Sequence, residues 1–258
     1  MNKSIFEEVS LSGINLKNRI IRSATHEGMA TDIGYPTESL EKLYIRLAKG
    51  GVGAIITGYA PVQVDGKSSH YQMNMIDNDE SIIEYKKLTD TIHKHNTPII
   101  IQIAHCGRQT RSKVTGCQTV APSAIRDGFY NEDLPKELSG KEINIIINNF
   151  VSGIIRAKKA GFDGVQLHLA HGYLLSEFLS SHYNQRKDCW GGSTENRYRI
   201  IDDIDFVSMS RPFIIEPNIV DKFNKGTQKT SKCVMCNYCA IIGEEKPLRC
   251  YYGKLPKN

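Results

Sequence analysis

Two hydrophobic patterns alternate along the chain from residue 19 to residue 171. Short runs of β-branched and other apolar residues predict strands, because they are too short for helices, and longer segments with apolar residues every three or four positions predict amphipathic helices. The strands are predicted at 19–24, 52–57, 99–103 and 162–168, and the helices between them at 37–49, 79–95 and 143–160. This alternation is typical of βα units that build a parallel sheet.

The pattern becomes irregular after residue 171. A helix is predicted at 194–204 and a fifth strand at 205–210, after which no further βα unit is visible. The whole chain has 258 residues, and a (β/α)8 barrel takes about 250. Length alone therefore leaves that architecture open.

Charge separates the last part of the chain from the rest. The net charge is +5, and residues 221–258 hold eight Lys and Arg against three Asp and Glu, which leaves 25 against 25 elsewhere. A nucleic-acid surface needs a basic patch with aromatic partners. For the basic excess of residues 221–258, the favoured explanation is instead a solvated face or compensation for the charge of bound thiolates.

No apolar run reaches the ~18 residues of a membrane helix, and residues 1–10 lack the apolar segment of a signal peptide. We expect a cytoplasmic protein that binds neither membranes nor nucleic acids.

Four of the seven cysteines crowd into this basic segment, at Cys233, Cys236, Cys239 and Cys250. Nothing in the sequence suggests secretion, so metal ligation is favoured over disulfides. Thiolates at this spacing can hold an iron–sulfur cluster or a structural zinc ion. From the spacing alone, a cluster, a zinc ion and no metal all stay open.

Polar residues with acid–base chemistry follow two of the predicted strands. Segment 102–108 lies at the end of the third strand, and segment 168–175 lies after the fourth. In the latter, His168 and His171 are three residues apart and Tyr173 follows. Such a group could bind a metal or form an acid–base and hydrogen-bonding cluster, although a lone histidine pair in a loop is also compatible with a structural role.

Several segments together resemble the old yellow enzyme family of FMN-dependent NADH:flavin oxidoreductases and ene-reductases. The longest are 164–174, which reads GVQLHLAHGYL, and 191–199, which reads GGSTENRYR. Shorter matches lie between and around them, at 16–20, 49–53, 102–108, 177–180, Asn184, Arg186, Asp188 and 208–213. The resemblance covers residues 1–200 almost continuously.

The resemblance implies an α/β fold of the (β/α)8 TIM-barrel family, with FMN at the carboxyl ends of the strands. Between residues 203 and 204 the family has about three further βα units that this sequence lacks. We therefore expect an incomplete barrel of about five parallel strands as an FMN-binding domain over 1–220, followed by a Cys-rich module over 221–258. Five strands cannot close with the tilt and shear of eight.

Site residues follow from the resemblance position by position. Tyr173 matches the proton donor to the substrate, and His168 and His171 match the pair that binds the substrate's anionic oxygen. The positions that match FMN-binding residues are Ser23, Ala24, Thr25 and His26 at the end of the first strand, Tyr59 near the flavin, Gln102 at its pyrimidine edge, and Ser210 and Arg211 at its phosphate. The family commonly has Pro-Met at 24–25 and Thr or Cys at 26, so this sequence departs from it beside the flavin.

The implied function is transfer of hydride from NAD(P)H through FMN to a small electron-poor alkene, such as an α,β-unsaturated carbonyl, in a homo-oligomer. The resemblance extends to the dienoyl-CoA reductase branch, which carries a four-iron four-sulfur cluster after the barrel. It therefore implies such a cluster as the preferred occupant of the four cysteines, with zinc and no metal as the alternatives. Two alternatives stay open. The chain could be an internally deleted, catalytically inactive relative that acts as a metal-binding or interaction protein, or the sequence could be a shortened version of a longer enzyme.

Overall fold

The computed structural model describes residues 4–70, 72–126, 133–201, Lys222 and 225–227. The strands are β1 (Val9–Leu11), β2 (Ile14–Leu16), β3 (Ile21–Arg22), β4 (Ala54–Pro61), β5 (Ile99–Ala104), β6 (Val120–Ala121), β7 (Lys136–Glu137) and β8 (Gly164–Leu167). The helices are α1 (Glu38–Lys49), α2 (Glu80–His93), α3 (Ser112–Thr115), α4 (Gly140–Lys159), α5 (Leu174–Leu179) and α6 (Thr194–Tyr198).

The centre of the molecule is a parallel sheet of four strands in the order β3–β4–β5–β8. Each strand is added on the same side of the previous one, and crossover connections between parallel strands are right-handed. Helices α1, α2 and α4 therefore lie on one face of the sheet, where they pack beside one another. A doubly wound sheet, whose strand order reverses, would place helices on both faces. The predicted βα units are confirmed.

Alternate residues of the central strands separate two hydrophobic clusters. In β5, Ile99, Ile101 and Ile103 belong to the main core, which packs the sheet against the helices. Ala104 instead belongs to a smaller cluster with Tyr59, Met73, Cys106 and Tyr173. Because successive side chains of a strand point to opposite faces, this smaller cluster marks the face away from the three helices.

Local signals fix the helix ends close to their predicted positions. The Thr37 hydroxyl accepts a hydrogen bond from the Leu40 amide and caps α1, which ends at Lys49 as predicted. Ser139 and Glu142 form a reciprocal capping box at the start of α4. Gly161 follows α4 with φ +83°, a left-handed conformation that glycine adopts without steric cost.

Some elements differ from the sequence prediction. Segment 106–140, for which the sequence analysis gives no helix or strand, contains α3 and the paired strands β6 and β7. The hairpin of β1 and β2 and helix α5 were not predicted either. Strands of two or three residues are too short to show a period. Ile154, one of the apolar residues that repeat along α4, is 40% exposed because it lies at the border of the buried face of this helix.

The prediction of one helix over 194–204 was partly wrong. The α-helix ends at Tyr198, and a 3-10 turn follows over Arg199–Ile201. Residues 202–204 and the predicted strand 205–210 lie outside the described residues. Most of the predicted Cys-rich module, 221–258, also lies outside them. Within the described part of the chain, no helix is both long and apolar enough to cross a bilayer.

Candidate active site at the strand ends

The predicted site residues gather where the four parallel strands end. Residues 23–26 follow β3, Tyr59 lies near the end of β4, Gln102 lies in β5, and segment 168–173 follows β8. Parallel strands bring their carboxyl ends to one edge of the sheet, which is the edge where barrel enzymes assemble active sites. The parallel topology therefore places residues 23–26 and 168–173 at the same edge of the sheet, although they are up to 150 residues apart in sequence.

A row of polar side chains crosses the sheet near this edge. Tyr59 is in register with Gln102, which is in register with Gln166 on β8, so the three side chains share one face. The Gln102 Nε2 donates to Gln166 Oε1 at 2.6 Å, and both residues are half-buried. Gln102 Oε1 and Gln166 Nε2 have no partner among the described residues. The Gln102 Oε1 acceptor and the Gln166 Nε2 donor are therefore both available to a ligand. The pyrimidine edge of a flavin presents groups of both kinds.

His168, His171 and Tyr173 form one aromatic cluster with Tyr59. The ring centroids of His168 lie 4.7 Å from Tyr173, 4.9 Å from His171 and 5.6 Å from Tyr59. His168 and Tyr173 are buried, whereas His171 is exposed. His171 has φ +58° and Gly172 has φ +71°. A histidine in this left-handed region is strained, and such strain is often found where a side chain must be aimed at a ligand.

Hydrogen bonds assign the tautomer of the first histidine. The Ala170 amide donates to His168 Nδ1 at 3.2 Å, so in a neutral His168 ring the proton is on Nε2. That Nε2 lies 3.1 Å from His171 Nδ1, to which it donates. Both histidines can therefore donate to a common oxygen only after His171 turns away from His168.

The two tyrosines are joined at their hydroxyl groups. The Tyr173 Oη donates to the Tyr59 Oη at 2.9 Å, and both side chains are buried. Burial raises the pKa of Tyr59 to about 12, and burial beside the Cys106 thiol raises the pKa of Tyr173 well above its usual value. Both hydroxyls therefore keep their protons at neutral pH.

A buried ion pair fixes the segment that follows β3. The Arg22 guanidinium lies 2.8 Å from Glu27 Oε1, which also accepts from the Tyr44 hydroxyl at 2.7 Å and from the Gly58 amide at 3.1 Å. A Cβ atom on Gly58 would lie 2.1 Å from Glu27 Oε2 and 2.7 Å from the Thr25 carbonyl oxygen. Strand β4 therefore approaches this segment as closely as only glycine allows.

The structure brings most of the predicted residues together. The ring of His26 lies 6.0 Å from that of Tyr59. His26 and Ala24 are half-buried, whereas Ser23 and Thr25 are exposed. Ser210, Arg211, Cys233, Cys236, Cys239 and Cys250 lie outside the described residues. In the part of the chain that is described, no three His, Cys, Asp or Glu residues converge as a metal site would require.

Three residues in and beside the site were missed by the sequence analysis. Ser68 and His70, in the loop after β4, hydrogen-bond to Tyr59, and Glu27 anchors the segment after β3. No signal in the sequence suggested them, because a serine, a histidine or a glutamate in a polar loop has no distinctive pattern.

Comparisons with known proteins agree with this arrangement. A family model described as the NADH:flavin oxidoreductase / NADH oxidase family matches residues 4–204. The NADPH dehydrogenase of Listeria monocytogenes serotype 4b (strain CLIP80459) is 38% identical over 209 residues, which are 78% of this chain and 58% of that protein. The NADH oxidase of Thermoanaerobacter brockii is 38% identical over 200 residues, which are 76% of this chain and 30% of that protein.

Comparison of the fold with solved structures points to the same family. The structure of the old yellow enzyme homologue from Zymomonas mobilis superposes with a TM-score of 0.71 at 31% identity, over 77% of this chain and 57% of that one. The chain thus spans less than two thirds of each of these three relatives. It belongs to the NADH:flavin oxidoreductase / NADH oxidase family, and its described residues form an incomplete (β/α)8 barrel of four parallel strands.

Proposed function

We propose that this chain is an FMN-dependent NAD(P)H oxidoreductase of the old yellow enzyme type that reduces an electron-poor alkene such as an α,β-unsaturated carbonyl. The observation that carries the proposal is the cluster of His168, His171 and Tyr173 at the same strand ends as the paired amides of Gln102 and Gln166. The names of the relatives, an NADPH dehydrogenase and an NADH oxidase, support the nicotinamide reductant.

The described residues suit the ring portion of FMN. Gln102 and Gln166 offer an acceptor and a donor to the pyrimidine edge, and residues 23–26 and Tyr59 would border the rings. Ser210 and Arg211 would contact the phosphate, because a guanidinium binds phosphate oxygens in a bidentate manner. Bound FMN would supply the hydride chemistry, and the protein would orient the reactants.

The two histidines would hold the substrate's carbonyl oxygen. Each imidazole has an N–H group, and two such donors aimed at one oxygen stabilise the negative charge that develops there during reduction. His171 is the mobile partner in this arrangement, because it is exposed and must turn before the His168 Nε2 proton becomes available. His168 is buried and held by the Ala170 amide.

Tyr173 would donate the proton that completes the reduction of the substrate carbon. A general acid must hold its proton until the transition state, and the burial that raises the pKa of Tyr173 keeps its hydroxyl protonated. The Tyr173 amide donates to the Ala170 carbonyl oxygen at 3.1 Å, and this bond fixes the start of α5 relative to the histidine loop.

Replacement of the Tyr173 hydroxyl tests the proposal. In the FMN-loaded full chain, Tyr173→Phe is expected to slow the oxidative half-reaction with an enone by about 100-fold or more, with flavin reduction by NAD(P)H close to wild type. Stopped-flow absorbance follows the two half-reactions separately. Equal losses in both would contradict the proton-donor role, and a wild-type protein that reduces no enone would refute the proposed function.

We also propose that residues 221–258 form a separate Cys-rich module in which Cys233, Cys236, Cys239 and Cys250 hold a four-iron four-sulfur cluster, with zinc as the alternative metal. The spacing of the four cysteines supports this proposal. Iron, sulfide and zinc analysis of the purified protein tests it. Cys236→Ser is expected to lose the metal, whereas Cys117→Ser, at an exposed cysteine outside the motif, is expected to keep it.

The assembly and the location in the cell are further parts of the proposal. Strand β8 is half-buried along its length and pairs only with β5 among the described residues. An open strand of this kind is a site for association, which supports a homo-oligomer. The location that we propose for it is the cytoplasm. Light scattering of the purified protein measures the oligomeric state, and a monomer at micromolar concentration would contradict this part of the proposal.

A further inference from the structure

A chain of hydrogen bonds connects Tyr173 with the protein surface. The Tyr173 Oη donates to the Tyr59 Oη at 2.9 Å, and the Tyr59 Oη lies 2.8 Å from His70 Nδ1. The Ser68 Oγ closes a triangle, at 3.1 Å from the Tyr59 Oη and 2.6 Å from His70 Nδ1. Both tyrosines are buried, whereas His70 is exposed. Two contacts therefore lead from a buried hydroxyl to a histidine in contact with solvent.

We propose that Tyr59 and His70 return a proton from solvent to Tyr173 after each turnover, an inference that rests on the proton-donor role assigned to Tyr173 in the proposed function. The Tyr173 Oη–H bond breaks as the substrate C–H bond forms. The Tyr59 Oη proton then moves to the Tyr173 Oη, the His70 Nδ1 proton moves to the Tyr59 Oη, and His70 Nε2 takes up a proton from water. The exposed His70 ring then returns to its Nδ1–H tautomer by giving the Nε2 proton to water and taking one up at Nδ1. The net transfer is one proton from water to substrate carbon, and none of the three residues is oxidised or reduced.

The burial of Tyr173 creates the need for such a path. A phenolate left in this buried site would be unfavourable, as the raised pKa values of Tyr173 and Tyr59 indicate. Burial and the neighbouring His26, whose ring lies 5.1 Å away, lower the pKa of His70. His70 is therefore neutral at pH 7, and a neutral imidazole can give a proton from one nitrogen while it accepts one at the other.

A purely structural role makes a different prediction. His70 acts through Tyr59 and is therefore a positioning residue for Tyr173. In a purely structural role, His70 would only hold the Tyr59 hydroxyl in place and would transfer no proton. His70→Asn separates the two roles, because an asparagine amide can hydrogen-bond from near the position of Nδ1 but has no second nitrogen that can take up a proton. His70→Ala removes both abilities. His95→Asn, at a half-buried histidine outside the site, is the control.

The first test needs no flavin and no turnover. In the full chain with 15N-labelled histidine, NMR reports the tautomer and hydrogen bonding of His70. Tyr59→Phe is expected to shift the His70 Nδ1 resonance, and Tyr173→Phe is expected to shift it less in the same direction. An Nδ1 resonance that is unchanged in Tyr59→Phe would overturn the proposal, because the contact that starts the relay would then be absent in solution.

The second test measures the relay in turnover. In the FMN-loaded full chain, His70→Ala and His70→Asn are both expected to slow the oxidative half-reaction with an enone by about 10-fold or more relative to the reductive one. Added imidazole should restore the rate of His70→Ala and not that of His70→Asn. A wild-type rate in His70→Asn would overturn the relay in favour of positioning alone, as would a wild-type rate in His70→Ala.

The outcomes distinguish the relay from the proposed function. If the wild-type protein reduces enones and the His70 variants are unaffected, only the relay is refuted. If the wild-type protein reduces no enone, the proposed function is refuted and the relay loses its role in catalysis, while the NMR result still reports whether the hydrogen-bonded chain exists.

Discussion

Two groups of buried polar side chains lie beside each other at the strand ends, and they differ in charge. The first is ionic: Glu27 lies between Arg22, the Tyr44 hydroxyl and the Gly58 amide. The second contains hydroxyl and imidazole groups: Tyr59, Tyr173 and His168 with the exposed His171. In the first group three donors converge on one carboxylate oxygen, whereas in the second the hydrogen bonds join groups that can act as donor or acceptor.

This difference in charge indicates a structural role for the first group and a chemical role for the second. A buried carboxylate paired with a guanidinium is costly to break, since either charge left alone in the interior is strongly unfavourable. Hydroxyl and imidazole groups can reverse a hydrogen bond at little cost because each is both donor and acceptor. We infer that the Glu27 group keeps the segment after β3 in place, while the Tyr59–Tyr173–His168 group exchanges protons and ligands.

The largest effect on stability is expected from the ionic group. Glu27→Gln leaves Arg22 without its counter-charge and should lower the free energy of unfolding by about 3–5 kcal/mol. Urea unfolding followed by circular dichroism measures it. The matched control is Glu38→Gln, at an exposed pair with Lys42, which should leave the free energy of unfolding unchanged within error. Equal effects in the two variants would contradict a supporting role for Glu27.

A smaller loss is expected from the glycine that contacts this group. Gly58→Ala places a Cβ 2.1 Å from Glu27 Oε2 and should lower the free energy of unfolding by about 1–3 kcal/mol. Gly140→Ala is the control, because its Cβ would find only Trp190 Nε1 at 3.7 Å and it lies in the first turn of α4. Gly140→Ala is therefore expected to be neutral or slightly stabilising. Thermal unfolding of the two variants side by side gives the comparison, and a stable Gly58→Ala protein would show that the segment after β3 can move.

The smallest effect on stability is expected in the second group, together with a large effect on ligand binding. His171→Ala removes an exposed side chain and should change the free energy of unfolding by about 0.5 kcal/mol or less. Its affinity for a phenolate ligand in the FMN-loaded protein should fall about 10-fold, the loss of one charge-assisted hydrogen bond. His171→Asn, which tolerates positive φ and retains an N–H donor, should lose less. Calorimetric titration decides, and unchanged affinity in His171→Ala would exclude His171 from the anion site.

The sequence predicts the regular part of the fold well. Helices α1, α2 and α4 and strands β4 and β5 were found because their apolar periods run for at least five residues and because Thr37, Pro98 and Gly161 mark their ends. The same reasoning missed β1, β2, β6 and β7, whose two or three residues show no period. Only topology could reveal that three helices cover one face, since this follows from strand order rather than from local pattern.

The candidate site was predictable only where a motif marked it. His168, His171 and Tyr173 stand in a recognisable run, and the structure places their rings 4.7–4.9 Å apart for the pairs that involve His168. His70 and Glu27 were not predictable because their partners, Tyr59 and Arg22, are reached through tertiary contacts. Nor could the sequence show that His168 donates to His171, because the tautomer depends on the Ala170 amide.

The polar row of Gln102 and Gln166 is expected to hold a flavin beside the His168–Tyr173 cluster. Titration of the purified full chain with FMN, followed by flavin absorbance and fluorescence, tests it most directly. We expect saturable binding near one FMN per chain, weakened by about 10-fold or more in Gln102→Leu, which removes both the donor and the acceptor of that side chain. A protein that leaves the FMN spectrum unchanged, or a Gln102→Leu variant that binds FMN as tightly as the wild type, would contradict it.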